Sequence, residues 1–249
     1  MKKFTSFIIA LFICSIAFAQ TINWYVDNQV YQTTTCENGS NVTPPTPPEK
    51  YGYHFVQWNK YSKRLEYLES TGTQAIDTGI VFSQSNAKVV IKFAATKSES
   101  TCLSGAESPH TFIATFRDDK TCIWHATNNI RDSLCTPMAV NTVYTLEMFQ
   151  HDGIFEKTVN GITQYANNTP GYTNKSFSLF SDNYGNGNYT QKSNARIFYT
   201  KIYENGVLVR DMIPVLDFNG VPCMFDEVSQ TFFYNKGTGN FIAGPIVKE

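Results

Sequence analysis

Val143-Tyr144-Thr145-Leu146-Glu147-Met148-Phe149-Gln150-His151-Asp152-Gly153-Ile154-Phe155-Glu156-Lys157-Thr158-Val159-Asn160-Gly161-Ile162-Thr163-Gln164-Tyr165 is the stretch that decides the fold. Its apolar and aromatic residues run through 143–149, break at His151-Asp152-Gly153, resume through 154–159, break at Asn160-Gly161 and resume through 162–165. Asn-Gly between alternating apolar runs marks a hairpin, because both residues tolerate the positive φ of a type I′ turn. The same grammar repeats on both sides. Residues 195–203 turn at Asn205-Gly206 into 207–213, Asn219-Gly220 turns again, and 111–116 pairs with 121–125 around Arg117-Asp118-Asp119-Lys120. Val89, Ile91 and Phe93 alternate as one face of a further strand. No window after Lys63 has helical periodicity, so an all-β, antiparallel β-sandwich or jelly roll is expected.

Composition agrees. Charged residues make up 16% of the chain and aromatics 14%, a bias toward Tyr and Phe that suits strands. A net charge of −1 offers no basic face for nucleic acid or anionic lipid. Lys2 and Lys3 precede an apolar run, and Ala17-Phe18-Ala19 has the small-x-small form that signal peptidase reads. Residues 1–19 are therefore expected to be a signal peptide cleaved before Gln20. The residues before Cys14 are too bulky for a lipobox. No later stretch is long and apolar enough to span a bilayer, so a secreted or envelope-associated chain is expected. Without Cys14, five cysteines remain: Cys36, Cys102, Cys122, Cys135 and Cys223. An odd number leaves a thiol unpaired and the connectivity open. One bridge among Cys102, Cys122 and Cys135 is expected at most. No Cys-x-x-Cys or His-x-x-x-His spacing supports a metal.

Residues 20–61 separate on composition. Ile22, Trp24 and Val26 alternate with polar neighbours, Asn38-Gly39 marks a turn, and Pro44, Pro45, Pro47 and Pro48 stiffen the next stretch. The segment closes on Gly52-Tyr53-His54-Phe55-Val56-Gln57-Trp58. This arrangement resembles the internalin-type B repeat, a small β-grasp-like module of bacterial surface proteins. The resemblance implies a spacer or adhesion module without chemistry.

The remaining domain, 62–249, is similar to the concanavalin A-like and laminin G-like jelly rolls of exported gut-bacterial and phage-type proteins. Two stretches carry the resemblance. The first is Arg64-Leu65-Glu66-Tyr67-Leu68-Glu69-Ser70-Thr71-Gly72-Thr73-Gln74-Ala75-Ile76-Asp77-Thr78-Gly79; the second is Lys201-Ile202-Tyr203-Glu204-Asn205-Gly206-Val207-Leu208-Val209-Arg210-Asp211-Met212-Ile213-Pro214. The second runs on into Phe233-Tyr234-Asn235-Lys236-Gly237-Thr238-Gly239-Asn240-Phe241. The jelly-roll resemblance implies that the first and last strands are sheet neighbours. Arg210 and Asp211 face opposite sides of a strand, so one of them is expected to pair with a carboxylate or amide in the first motif, with Asp77 and Glu69 as candidates. The resemblance specifies a fold; functions on such sandwiches vary widely.

Catalytic signatures are sparse. A sandwich glycoside hydrolase needs two carboxylates on one strand face, but Glu147 stands alone in its strand, Asp118-Asp119 sit in a turn, and Asp226-Glu227 point apart. His54, His110, His125 and His151 are scattered, with no Gly-x-Ser-x-Gly elbow. The expectation is a non-catalytic exported protein whose partner is a glycan. The second reading is a structural or adhesion module with a surface-protein partner, and the third a glycoside hydrolase. No cofactor is expected, with structural calcium left open. Sugar sites combine flat aromatic rings with amides and carboxylates. The candidate ligand-binding residues are accordingly Asp182, Tyr184, Asn186, Asn188 and Tyr189 in one Asn/Gly-rich loop, with Trp124 as a second candidate.

Overall fold

The computed structural model describes residues 2–10, 20–27, 29–36, 42–83, 86–107, 111–117, 120–124, 135–167 and 173–248. Cys14, the Ala17-Phe18-Ala19 motif, the Asn38-Gly39 turn, His110, Asp118, Asp119 and His125 lie outside them. The chain forms two compact units, residues 1–62 with 217–220, and residues 63–216 with 221–249. Every regular element described is a strand.

The first unit is a four-stranded sheet in the order Gln29–Cys36, Gln20–Val26, Lys2–Ala10, Tyr53–Asn59. Lys2–Ala10 runs antiparallel to Gln20–Val26 and parallel to Tyr53–Asn59. The described part of the apolar leader-like segment is thus one of the two inner strands of its sheet. Trp24 is buried, and its indole N–H donates to Thr34 Oγ1 at 2.9 Å.

The second unit is an antiparallel jelly-roll sandwich. Its larger sheet runs Ile162–Asn167, Ile154–Val159, Tyr144–His151, Ala87–Ala95, Asn194–Glu204, Val207–Leu216, Pro222–Asp226, Thr231–Phe233. The smaller runs Cys135–Pro137, Lys120–Trp124, Thr111–Arg117, Thr101–Ala106, Ser178–Leu179, Ile76–Asp77, with the hairpin Asp182–Asn183/Tyr189–Thr190 beside Thr101–Ala106. Burial alternates along Ala87–Ala95 and Tyr144–His151 as period-2 strands require. Phenylalanines from the two sheets meet between them, Phe93 with Phe116 and Phe112 with Phe155, each pair 5.7 Å between centroids. Rings at that separation contribute about 0.5–1.5 kcal/mol beyond area burial.

The hairpin reading holds at Asn160-Gly161 (φ 47° and 83°) and Asn205-Gly206 (φ 50° and 77°). Asp152-Gly153 has the same geometry, φ 46° and 74°. Asn219-Gly220 differs: only Gly220 has positive φ (78°), and its N–H closes back onto the Asp217 carbonyl at 3.1 Å. There the side chain of Asp217 caps the turn by accepting the Asn219 N–H, so a longer loop replaces the two-residue turn.

The first motif is split between the sheets rather than lying wholly in one. Leu68–Thr71 pairs with Asn194–Glu204, whereas Ile76–Asp77 pairs with Ser178–Leu179. The chain crosses between layers at Gly72, whose φ of +89° suits glycine. Gln74 fixes the crossing: its Oε1 accepts from Ser70 Oγ and Thr71 N, and its Nε2 donates to the Asn240 carbonyl. The motif meets Val207–Leu216 through Arg64 opposite Val215 and through Arg210 Nε donating to the Thr78 carbonyl.

The ion pairs also differ from expectation. Glu69 pairs with Arg196 at 2.6 Å, Asp211 with Lys201 at 2.9 Å, and Arg210 with the fully buried Asp226 at 3.6 Å. Asp226 additionally accepts from the amides of Asp211, Val228 and Ser229, which explains why a buried carboxylate is tolerated there. Cys135 is disulfide-bonded and stands opposite Cys122 in the strand register. Cys36, Cys102 and Cys223 are not in disulfides.

Candidate functional site

The Asn/Gly-rich loop is a tight hairpin. Gly185, Asn186 and Gly187 take φ of 88°, 53° and 75°, and the Tyr184 amide bonds the Asn188 carbonyl at 2.9 Å. Asn183 anchors the entry. Its Nδ2 donates to the Ser176 carbonyl at 2.8 Å, and its Oδ1 accepts the Gly185 N–H at 2.8 Å. Beside this hairpin lies a cleft of ≈ 380 Å³, within the range of small-molecule sites. Its lining is mostly polar and includes Asp77, Lys175, Asn183, Tyr184, Asn186 and Tyr189.

Two contacts organise the cleft. The Tyr189 hydroxyl donates to Asp77 Oδ2 at 2.7 Å, while Asp77 Oδ1 accepts the Gly79 N–H at 2.9 Å. Burial, then the bond to Asp77, holds the Tyr189 phenol protonated well above the usual tyrosine range. Opposite, Lys175 Nζ donates to the Glu107 carbonyl at 2.8 Å and lies 5.9 Å from the Tyr184 ring centroid. Burial and Glu107 likewise raise the Tyr184 phenol. The Lys175 stem occupies the space a side chain at Gly185 would take, 3.1 Å from an ideal Cβ.

Of the residues singled out in the sequence, Tyr184, Asn186 and Tyr189 line the cleft. Tyr184 is 37% exposed and Tyr189 half-buried. Asp182 is not in the lining. It is 2% exposed, and burial, followed by a bond to Glu107, pushes its carboxyl up to about 8. Along a strand the residue before Asn183 turns inward, where a neutral acid is favoured over a carboxylate. Asn188 is exposed outside the lining and contributes its backbone to the turn. Trp124 ends the strand Lys120–Trp124, and its side chain lies outside the described residues. Asp77 and Lys175 were not expected in a site. The contact of Asp77 with Tyr189 spans 112 residues, beyond any local motif.

Two other chemistry-bearing side chains, His151 and Glu147, are engaged in structure. His151 stacks on Phe149 at 4.3 Å and lies 3.2 Å from Glu156 Oε1; Glu147 pairs with Lys88 at 3.3 Å. Among the described residues no group of three or more His, Cys, Asp or Glu is placed to hold a metal ion.

No protein-family model matches the chain. No curated protein matches it. Several solved structures are similar. Alginate lyase A1-II′, of polysaccharide lyase family 7, is 14% identical, with 53% of this chain and 67% of that chain covered and a TM-score of 0.37. The SAP-like pentraxin of Limulus polyphemus is 9% identical, with 56% and 70% covered and a TM-score of 0.37. An alginate lyase from Corynebacterium sp. is 11% identical, with 52% and 61% covered and a TM-score of 0.33. The likeness is loose, and what those enzymes act on belongs to them. The expectation of a non-catalytic binding protein is corrected to this extent: several of the similar structures are alginate lyases, where a binding protein was expected. Missing paired carboxylates count against hydrolysis of a glycosidic bond; they do not count against elimination, which has other needs.

Proposed function

We propose that this chain is an enzyme that acts on polysaccharide, cleaving an acidic chain by β-elimination in the cleft of Asp77, Lys175 and Tyr189. The observation that carries the reading is a protonated phenol bonded to a carboxylate in a polar cleft that also holds an ammonium group. Elimination at a uronosyl residue needs a cation on the sugar carboxylate, a base for the adjacent C–H, and an acid for the departing oxygen. Lys175 supplies the cation, with the Asn183 and Asn186 amides beside it. Asp77 takes the carbon-bound proton, and Tyr189 gives its phenolic proton to the leaving glycosidic oxygen. The proton on Asp77 then returns to the phenolate. One C–H and one C–O bond break, a C=C bond forms, and no water is consumed.

The test is incubation of the purified protein with a panel of acidic and neutral polysaccharides, following the ultraviolet absorbance of the unsaturated product. Tyr189→Phe removes only the hydroxyl and should lower turnover by at least ~10²-fold, the usual worth of a positioned acid. No cleavage of any polymer, or an undiminished Tyr189→Phe variant, would overturn the assignment.

We further infer export, supported by Lys2, Lys3 and the apolar run behind them. No helix among the described residues is long and apolar enough to cross a membrane. On the same reading residues 20–61 are an internalin-type spacer, supported by the Gly52-to-Trp58 motif.

A further inference from the structure

The outward face of the larger sheet carries an unusual row of side chains around Lys92. Burial along Ala87–Ala95 alternates, leaving Lys88, Val90 and Lys92 on the outer face. On the neighbouring strand Asn194–Glu204 this alternation breaks in the middle of the strand. Ile197 and Thr200 are buried, and both Phe198 and Tyr199 between them are half-exposed. The cause is a β-bulge: Ile197 opposes Phe93 and Tyr199 opposes Lys92, so one extra residue sits between consecutive pairs. A bulge re-aims side chains, and this one places two rings beside one lysine on the same face.

Three cations near that point are already paired with carboxylates. Lys88 pairs with Glu147, Arg196 with Glu69, and Lys201 with Asp211. Lys92 has no carboxylate partner among the described residues. Its Nζ lies 5.7 Å from the Phe198 ring centroid, and Phe198 in turn meets Tyr67 edge-on at 5.5 Å. A cation held against aromatic surface, with its neighbours already neutralised, is complementary to one anionic group attached to a ring that can stack.

We propose that this bulged face, centred on Lys92, Phe198 and Tyr199, is a second binding surface for a carboxylate-bearing polysaccharide. Lys92 takes the sugar carboxylate, and Tyr199 receives the apolar face of the same pyranose ring. Its choice of carboxylate rests on the elimination reading of the cleft; its residues are separate from that cleft. Polymer held here raises the local concentration of chain available to the other site.

The experiment uses the full chain carrying Tyr189→Phe, so that polymer is not consumed, with polygalacturonate and neutral dextran as probes in affinity electrophoresis. Lys92→Met should weaken polygalacturonate retention at least about fivefold, Tyr199→Ala should weaken it similarly, and Lys92→Arg should stay within about twofold. Dextran mobility should not change. An unaltered Lys92→Met variant would overturn the proposal. So would a loss of the same size in Lys88→Met, because non-specific polyanion attraction would not single out the unpaired lysine. Failure of the elimination reading shows differently, as absence of product from the unmodified protein whatever its retention.

Discussion

Lys157 offers the sharpest physical test of the sandwich. It lies on Ile154–Val159 between Phe155 and Val159, on the inward face, and is fully buried. Its Nζ donates across the layers to the Thr121 carbonyl at 2.7 Å and to Thr136 Oγ1 at 2.9 Å. Burial lowers its pKa from 10.5 to about 7. The sign follows from proton counts. Between about pH 7 and about pH 10 the unfolded chain holds this proton and the folded chain has released it, so stability rises with pH across that window. Below about pH 7 both states are protonated, and the full cost of the buried ammonium is present. For a shift of this size the linkage relation gives a gain of roughly 2 kcal/mol between about pH 7 and about pH 9. Lys157→Met keeps the volume and removes the titration, at a pH-independent cost for the acceptors left behind. Urea unfolding of both proteins at several pH values measures the difference. The gap between them should change by roughly 2 kcal/mol across those two pH units. A constant gap would refute the argument, because it would mean that the amine stays protonated in the fold.

Three further outcomes are expected. Gly237→Ala puts a Cβ 2.1 Å from the Thr73 carbonyl oxygen, which is backbone and cannot step aside, so thermal unfolding should show a loss of about 1–3 kcal/mol. Asp226→Ala strips three amides and Arg210 of their buried acceptor, and should cost about 3–5 kcal/mol by the same measurement. Mass spectrometry of exported protein should find Gln20 at the N-terminus. Hydrogen exchange should then show Gln20–Val26 and Tyr53–Asn59 protected by pairing with each other, in place of the lost Lys2–Ala10 strand; an intact Met1 would sink this expectation.

What the sequence discloses depends on the range of the interaction that fixes each feature. The hairpins at Asn160-Gly161 and Asn205-Gly206 are legible because backbone preference at two residues sets them. The inward position of Lys157 is also written locally, in its alternation with Phe155 and Val159, although a lysine in that slot argues against burial until its acceptors are known. The crossing at Gly72 is different. It depends on Gln74 reaching Asn240, 166 residues away, and no window contains both. The bulge at Phe198 hides in another way: one inserted residue reverses the face of everything after it, so a period-2 reading fails on one side.

The same distinction governs how the two surfaces should be probed. The cleft is assembled from remote parts, with Asp77 meeting Tyr189 and Lys175 meeting the Glu107 carbonyl 68 residues away. Those contacts are part of the fold as well as of the chemistry. Removing Asp77 would free both the Tyr189 hydroxyl and the Gly79 amide, so lost activity in an Asp77→Ala variant would confound two causes. Tyr189→Phe keeps the ring and leaves Asp77 its amide contact, and it therefore isolates the proton. On the sheet face the logic reverses. Lys92 sits in a strand paired on both sides through its backbone, and among the described residues its ammonium has a ring beside it and no carboxylate. Its replacement leaves the ladder intact, so a change in polymer retention there reports recognition and not folding.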